Sequence, residues 1–135
     1  MKLILDTNVL ISGIFFGGPP GKILQAWRDG RFTLVLSPEI FDEYQRVAGA
    51  LQRKFPLVDL TALLELIVVE AEMVQPDALD VEVCVDPDDD KFIACALAAG
   101  AKLIVSGDKH LLDVNGYRGI EVLKPRTFID RHLLN

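Results

Sequence analysis

The sequence predicts an α/β fold, a three-layer α/β/α sandwich around a central, mostly parallel sheet. Short apolar runs at Leu3-Ile4-Leu5, Phe32–Leu36 and Lys102–Ser106 have the length of buried strands. Segments with helical spacing of apolar residues lie between them, so strands and helices alternate along the chain. The first and third runs lead directly into Asp6 and Gly107-Asp108, which puts an acid after each of two strands.

Leu3-Ile4-Leu5 breaks off into Asp6-Thr7-Asn8, a strand end followed by a helix start. Gly17-Gly18-Pro19-Pro20-Gly21 reads as a turn that introduces a helix from about Lys22 to Asp29, closed by Gly30. After the strand at Phe32–Leu36, Ser37-Pro38-Glu39 supplies a helix cap and a proline at the first helical position. That helix is expected to reach about Lys54, before Pro56, with Ile40, Tyr44, Val47 and Leu51 as its apolar stripe. Another spans about Asp59 to Glu70. Met73–Val85, with Pro76 inside it, reads as a mixed, partly extended connection.

Asp86-Pro87-Asp88-Asp89-Asp90 precedes a small-residue helix from Phe92 to Ala99, ended by Gly100. The strand at Lys102–Ser106, a shorter one near Ile120–Leu123 and a terminal helix from about Pro125 complete the chain. There is no internal repeat and no dividing linker, so residues 1–135 are expected to form one domain.

Half the residues are hydrophobic and a quarter charged, the balance of a chain that folds. Cys84 and Cys95 form neither a CxxC pair nor a metal-ligand spacing and are expected to be buried free thiols, in keeping with a cytoplasmic protein. No apolar run approaches the roughly 18 residues needed to cross a bilayer, so no membrane partner is expected. The net charge of −6 argues against a protein that coats nucleic acid by bulk attraction. It leaves room for a nuclease, because divalent ions can offset a local acidic cluster.

The candidate site is acidic. Strand C-termini in a parallel sheet share one edge, where ligands usually bind, and Asp6 and Asp108 both follow strands there. Either one alone is equally well read as an N-cap. On the helix after Ser37, Glu43 is the acid nearest the apolar stripe, at about 100° per residue, whereas Asp42 points away. Within the aspartate run, Asp89 is one helical neighbour from Phe92 and two from Ala96, which leans it inward. Asp86 and Asp90 are the fallback acids, and capping accounts for two members of the run. Four converging carboxylates repel each other unless protons or cations intervene. Oxygen-only ligands suit magnesium or manganese, which can activate water for attack on a phosphodiester without histidine or cysteine.

Taken together, Leu5-Asp6-Thr7-Asn8-Val9-Leu10, Ser37-Pro38-Glu39-Ile40 leading to Glu43, Asp86-Pro87-Asp88-Asp89 and Ser106-Gly107-Asp108-Lys109 resemble a PIN domain over nearly the whole chain. Within that family the resemblance is closest to the toxin components of toxin–antitoxin systems. It implies a magnesium- or manganese-dependent endoribonuclease with Asp6, Glu43, Asp89 and Asp108 as metal ligands, and Asn8 and Ser106 as polar residues behind them. RNA as substrate, a cognate antitoxin and a homodimer are implied in the same way. Many relatives carry an acid where this chain has His110, so that position receives no ligand role; a surface-loop histidine or one touching substrate are the alternatives. Lys22, Arg28, Arg46 and Lys109 are candidates for phosphate contact, or simply solvated cations.

Other chemistries fit less well. A haloacid-dehalogenase-type phosphatase requires a second aspartate two residues after the first, where this chain has Asn8. Gly17–Lys22 lacks the hydroxyl residue of a phosphate loop and holds two prolines without N–H donors. Ser12, Ser37 and Ser106 lack a glycine-flanked elbow, and His110 and His132 stand without evident partners. The stronger rival is a non-catalytic PIN-fold module that binds RNA or protein, against which the retention of all four acids argues.

Overall fold

Leu3, Ile4 and Leu5 are fully buried, as a strand must be when it has neighbours on both edges and helices over it. The computed structural model describes residues 1–79 and 82–134. Its five strands are β1 (Lys2–Leu5), β2 (Thr33–Leu36), β3 (Glu72–Met73), β4 (Leu103–Val105) and β5 (Glu121–Leu123). They form one sheet in the order β3-β2-β1-β4-β5, flanked by helices, and every pair is parallel. The mostly parallel sheet expected from sequence is thus wholly parallel. β3 falls at the start of the connection that had no readable period; two residues are too few to display one. Positions 80 and 81 of that connection, and 135 at the chain end, lie outside the described residues.

The chain steps from β1 outward through β2 and β3, then crosses to the opposite side for β4 and β5. Winding therefore reverses at β1, and the crevice above the C-terminal ends of β1 and β4 is the topological switch point. Leu5 is in register with Val105, so residues 6 and 106 emerge side by side. The ladder runs one residue beyond the strands: the Asp6 N–H donates to Val105 O at 3.0 Å, and the Ser106 N–H to Leu123 O at 2.9 Å.

α1 (Thr7–Phe15) starts immediately after Asp6. The Gly/Pro segment behind it is not a turn, as the sequence suggested, but the opening of α2 (Gly18–Arg28). Pro19 and Pro20 sit in the first turn, where backbone N–H groups have no helical acceptor to lose. Gly17, at φ +79°, makes the junction that lets the helix begin four residues earlier than expected.

α3 (Pro38–Gln52) is capped as predicted, Ser37 Oγ accepting from the Ile40 N–H at 3.2 Å, and ends two residues before Lys54. Asp59 caps α4 (Leu60–Glu70) through the Ala62 N–H. A 3₁₀ turn at Pro87–Asp89 leads into α5 (Asp90–Ala99), whose Phe92, Ile93, Cys95 and Ala96 are buried. α6 (Lys109–Leu112) follows β4, and α7 (Pro125–Phe128) follows β5 and continues as a π turn over Ile129–Leu133.

The core gathers around the sheet, with Phe92, Phe128, Leu34, Ile40 and Tyr44 fully buried. Burying each large apolar side chain stabilises the fold by about 2 kcal/mol before entropy is counted. Both cysteines are buried and free, as expected. Among the described residues no helix is long and apolar enough to cross a membrane.

Candidate metal centre

Asp6 caps the sheet end of β1 and is 5% exposed. As residue before α1 it could have spent its carboxylate on the helix N-terminus, yet it makes no side-chain capping bond. Instead, Asp6 Oδ2 accepts from Ser106 Oγ at 2.7 Å. The same Ser106 Oγ accepts from the Asp108 N–H at 2.9 Å, so one buried hydroxyl ties the end of β1 to the loop after β4. This follows from the parallel register that puts residues 6 and 106 together.

Glu43 projects from α3 at the margin of the core, while Glu39 and Asp42 are exposed. Its neighbour Tyr44 is buried and donates its hydroxyl to Leu5 O, which pins this turn of α3 to the end of β1. Thr7 Oγ1 donates to Glu43 Oε2. Lys91 Nζ lies 3.1 Å from Oε1. Both carboxylate oxygens of Glu43 are therefore held by this chain's own groups.

The four aspartates of the 86–90 run take different roles. Asp86 accepts from the Asp88 N–H at 3.0 Å and caps the 3₁₀ turn. Asp88 is exposed and pairs with Lys91 at 3.2 Å. Asp90 accepts from the Val83 and Cys84 N–H groups, at 3.1 and 2.7 Å, and so fastens the preceding loop. Asp89 is the member that faces Asp108. Asp108 in turn caps α6, its Oδ1 accepting from the His110 N–H at 2.9 Å. One ligand atom each from Asp89, Asp108 and the His110 ring lies within 4.8 Å of the others.

Charge repulsion is visible in the acids themselves. The Asp6 carboxyl is raised above its ordinary 3.8, first by burial, with the Ser106 hydrogen bond opposing and Asp108 and Glu43 adding. Asp89 is pushed up to about 6 by burial, then by Asp108, Asp6 and Asp86, and by a hydrogen bond shared with Asp108. Burial works to depress Lys91, but its bonds to Glu43 and Asp88 more than offset that and leave it raised.

Asp89 and Asp108 thus stand at ligand distance from each other at the switch point, with Asp6 near enough to act on the charge of Asp89, and Glu43 near enough to act on that of Asp6. Asn8 does not join them. It is exposed, and among the described residues its amide makes no hydrogen bond to an acid, because helical rotation after Thr7 turns it outward. Thr7 makes the contact instead. Sequence reasoning missed Thr7, Lys91 and the placement of His110. A lysine inside the apolar α5 was the available signal for Lys91; nothing in the spacing of His110 indicated its neighbours. Lys22, Arg28, Arg46 and Lys109 are all exposed, and only Lys109 adjoins the acids along the chain.

The donor set fits a divalent cation. Carboxylate oxygens and one imidazole are grouped at ligand spacing, and the acids carry unneutralised charge that a cation would relieve. Comparison with curated proteins gives no match. The model of the PIN domain family matches residues 2–110, a span from β1 through Asp108 to His110. PIN domains are in general metal-dependent nucleases, and with the wholly parallel β3-β2-β1-β4-β5 sheet and the acids at its switch point, this chain belongs to the PIN domain family.

Proposed function

We propose that the protein is a metal-dependent endoribonuclease that hydrolyses RNA phosphodiester bonds, with Asp6, Glu43, Asp89 and Asp108 as the acids that hold magnesium or manganese. The observation that carries this reading is the grouping of Asp89 and Asp108 at ligand distance beside Asp6 at the switch point, with Asp6 raised by burial and by Asp108, and Asp89 by burial, Asp108 and Asp6. Such a cluster weakens the fold and is of use once a cation binds. When bound, the ion would activate water and offset charge on the scissile phosphate.

The chain's own residues do the positioning. Ser106 orients Asp6 and the backbone of Asp108 together, so one hydroxyl fixes the two strand-end acids relative to each other. Lys91 and Thr7 hold Glu43 at the rim of the cluster, where its charge acts on Asp6. The finer reading, a toxin paired with a cognate antitoxin and acting as a homodimer, rests on the motif resemblance of the sequence.

RNA cleavage by the wild type and by Asp6→Asn, with magnesium or manganese added, tests the proposal. Cleavage is expected to require metal and to fall at least about 100-fold in the variant, the usual scale for losing a charge-stabilising group. Equal activity in the two proteins overturns it.

A further inference from the structure

We propose that His110 is a ligand of this centre and tips it toward a transition-metal ion of the manganese-to-zinc series in preference to magnesium. The proposal rests on the metal-dependent reading above and concerns which ion that site selects. The His110 ring stands with Asp89 and Asp108 at mutual ligand-atom distances within 4.8 Å. The loop after β4 places it there by a local device. Asp108 Oδ1 accepts from the His110 N–H at 2.9 Å, so the turn that fixes the carboxylate also carries the imidazole beside it.

The commitments of the neighbouring groups make this nitrogen count. Both oxygens of Glu43 are engaged, by Thr7 and Lys91, and both oxygens of Asp90 bind backbone N–H groups. Asp6 has one oxygen on Ser106. The donors grouped most closely are therefore two carboxylates and one imidazole, a mixed set and not an all-oxygen one. Magnesium takes oxygen ligands in near-octahedral geometry and gives up its water reluctantly. Imidazole suits the later ions of this series, and affinity for it rises from manganese through cobalt to nickel. A histidine at this point therefore discriminates between ions that an aspartate there would treat more evenly.

The test is calorimetric titration of the full chain with magnesium and with manganese, for wild type, His110→Ala, His110→Asp and Asp108→Asn, together with the visible spectrum of added cobalt. Wild type is expected to bind manganese at least about tenfold more tightly than magnesium. His110→Ala should lose about tenfold in manganese affinity while magnesium changes by less than about twofold, and the cobalt bands should shift. His110→Asp should bring the two affinities within about threefold of each other. If His110→Ala binds manganese as wild type does, with an unchanged cobalt spectrum, while Asp108→Asn is impaired, the role of His110 is overturned and the metal centre stands. Wild type that takes up no ion, or Asp108→Asn that binds as tightly as wild type, overturns the metal-dependent reading and this proposal with it.

Discussion

Lys91 reaches from α5 to Glu43 on α3, Nζ to Oε1 3.1 Å, with its side chain 4% exposed and that of Glu43 14% exposed. The ammonium also meets the Asp88 carbonyl at 2.6 Å and the Asp88 carboxylate at 3.2 Å, so its three protons have three acceptors. A nearly buried cation is thereby fully satisfied, and two helices are joined over the acidic edge of the sheet.

Removing Lys91 should therefore cost more than a surface ion pair would. Lys91→Met leaves Glu43 with one oxygen unpaired in a poorly solvated place, an effect of about 3 kcal/mol for breaking one side of a buried pair. Urea denaturation of the metal-free protein measures it. The double variant Lys91→Met, Glu43→Leu should recover much of the loss, since no stranded charge remains. A Lys91→Met protein within about 0.5 kcal/mol of wild type would mean the pair contributes no more than an exposed one.

Ser106 offers a separable test of positioning. Ser106→Ala removes the 2.7 Å bond to Asp6 and the acceptor for the Asp108 N–H, leaving a donor and an acceptor short of partners in a closed site. Stability should drop by about 1–2 kcal/mol. The Ser106 bond lowers the Asp6 carboxyl, so its loss should move that acid further up, and the acidic limb of an activity–pH profile should shift toward higher pH. An unmoved limb would leave Ser106 with packing alone.

Much of this was readable because the informative features are local. An apolar run ending in an acid marks Asp6 and Asp108, and the Ser37-Pro38 cap marks the start of α3 whatever the rest of the chain does. Asp89 was singled out by extending α-helical phase backward from Phe92. The backbone there is in fact a 3₁₀ turn, and the inward place falls to Asp89 because Asp90 is drawn to the Val83 and Cys84 N–H groups. That competition comes from a loop with no readable period. Lys91 and His110 escaped for a related reason: their partners lie on other elements or across a turn, and residue spacing carries no record of such pairings. The Gly/Pro segment misled because proline breaks a helix interior but is welcome in its first turn.

The raised Asp89 carboxyl makes a pH-dependent prediction whose sign is fixed. The folded chain holds that proton more tightly than the unfolded chain does, about 6 against 3.8. Its contribution to stability is fully present below the lower value and is lost as pH rises through the upper one. Asp89→Asn, which keeps the site neutral there, should melt like wild type near pH 4 and at a higher temperature than wild type above pH 6, both without metal. Saturating manganese should raise the melting temperature of wild type more than that of the variant. Parallel melting curves across the whole range would remove Asp89 from the repelling cluster.

The junction of α1 and α2 predicts a strong asymmetry between two glycines. A Cβ at Gly13 would stand 2.7 Å from Leu24 Cδ1 and 2.8 Å from the carbonyl oxygen of Pro20. The leucine tip can rotate aside, but the carbonyl belongs to the first turn of α2, where two consecutive prolines stiffen the backbone. Gly13→Ala should therefore force the helices apart and destabilise the protein by about 1–3 kcal/mol, the usual penalty for overpacking. Gly49 lies inside α3 with nothing within 4 Å of an added Cβ. There the better helix propensity of alanine acts alone, and Gly49→Ala should stabilise by up to about 1 kcal/mol. Chemical denaturation of the two variants side by side checks both signs. A neutral Gly13→Ala would mean that the α1–α2 contact yields easily, and that the prolines of α2 do not hold its first turn in place.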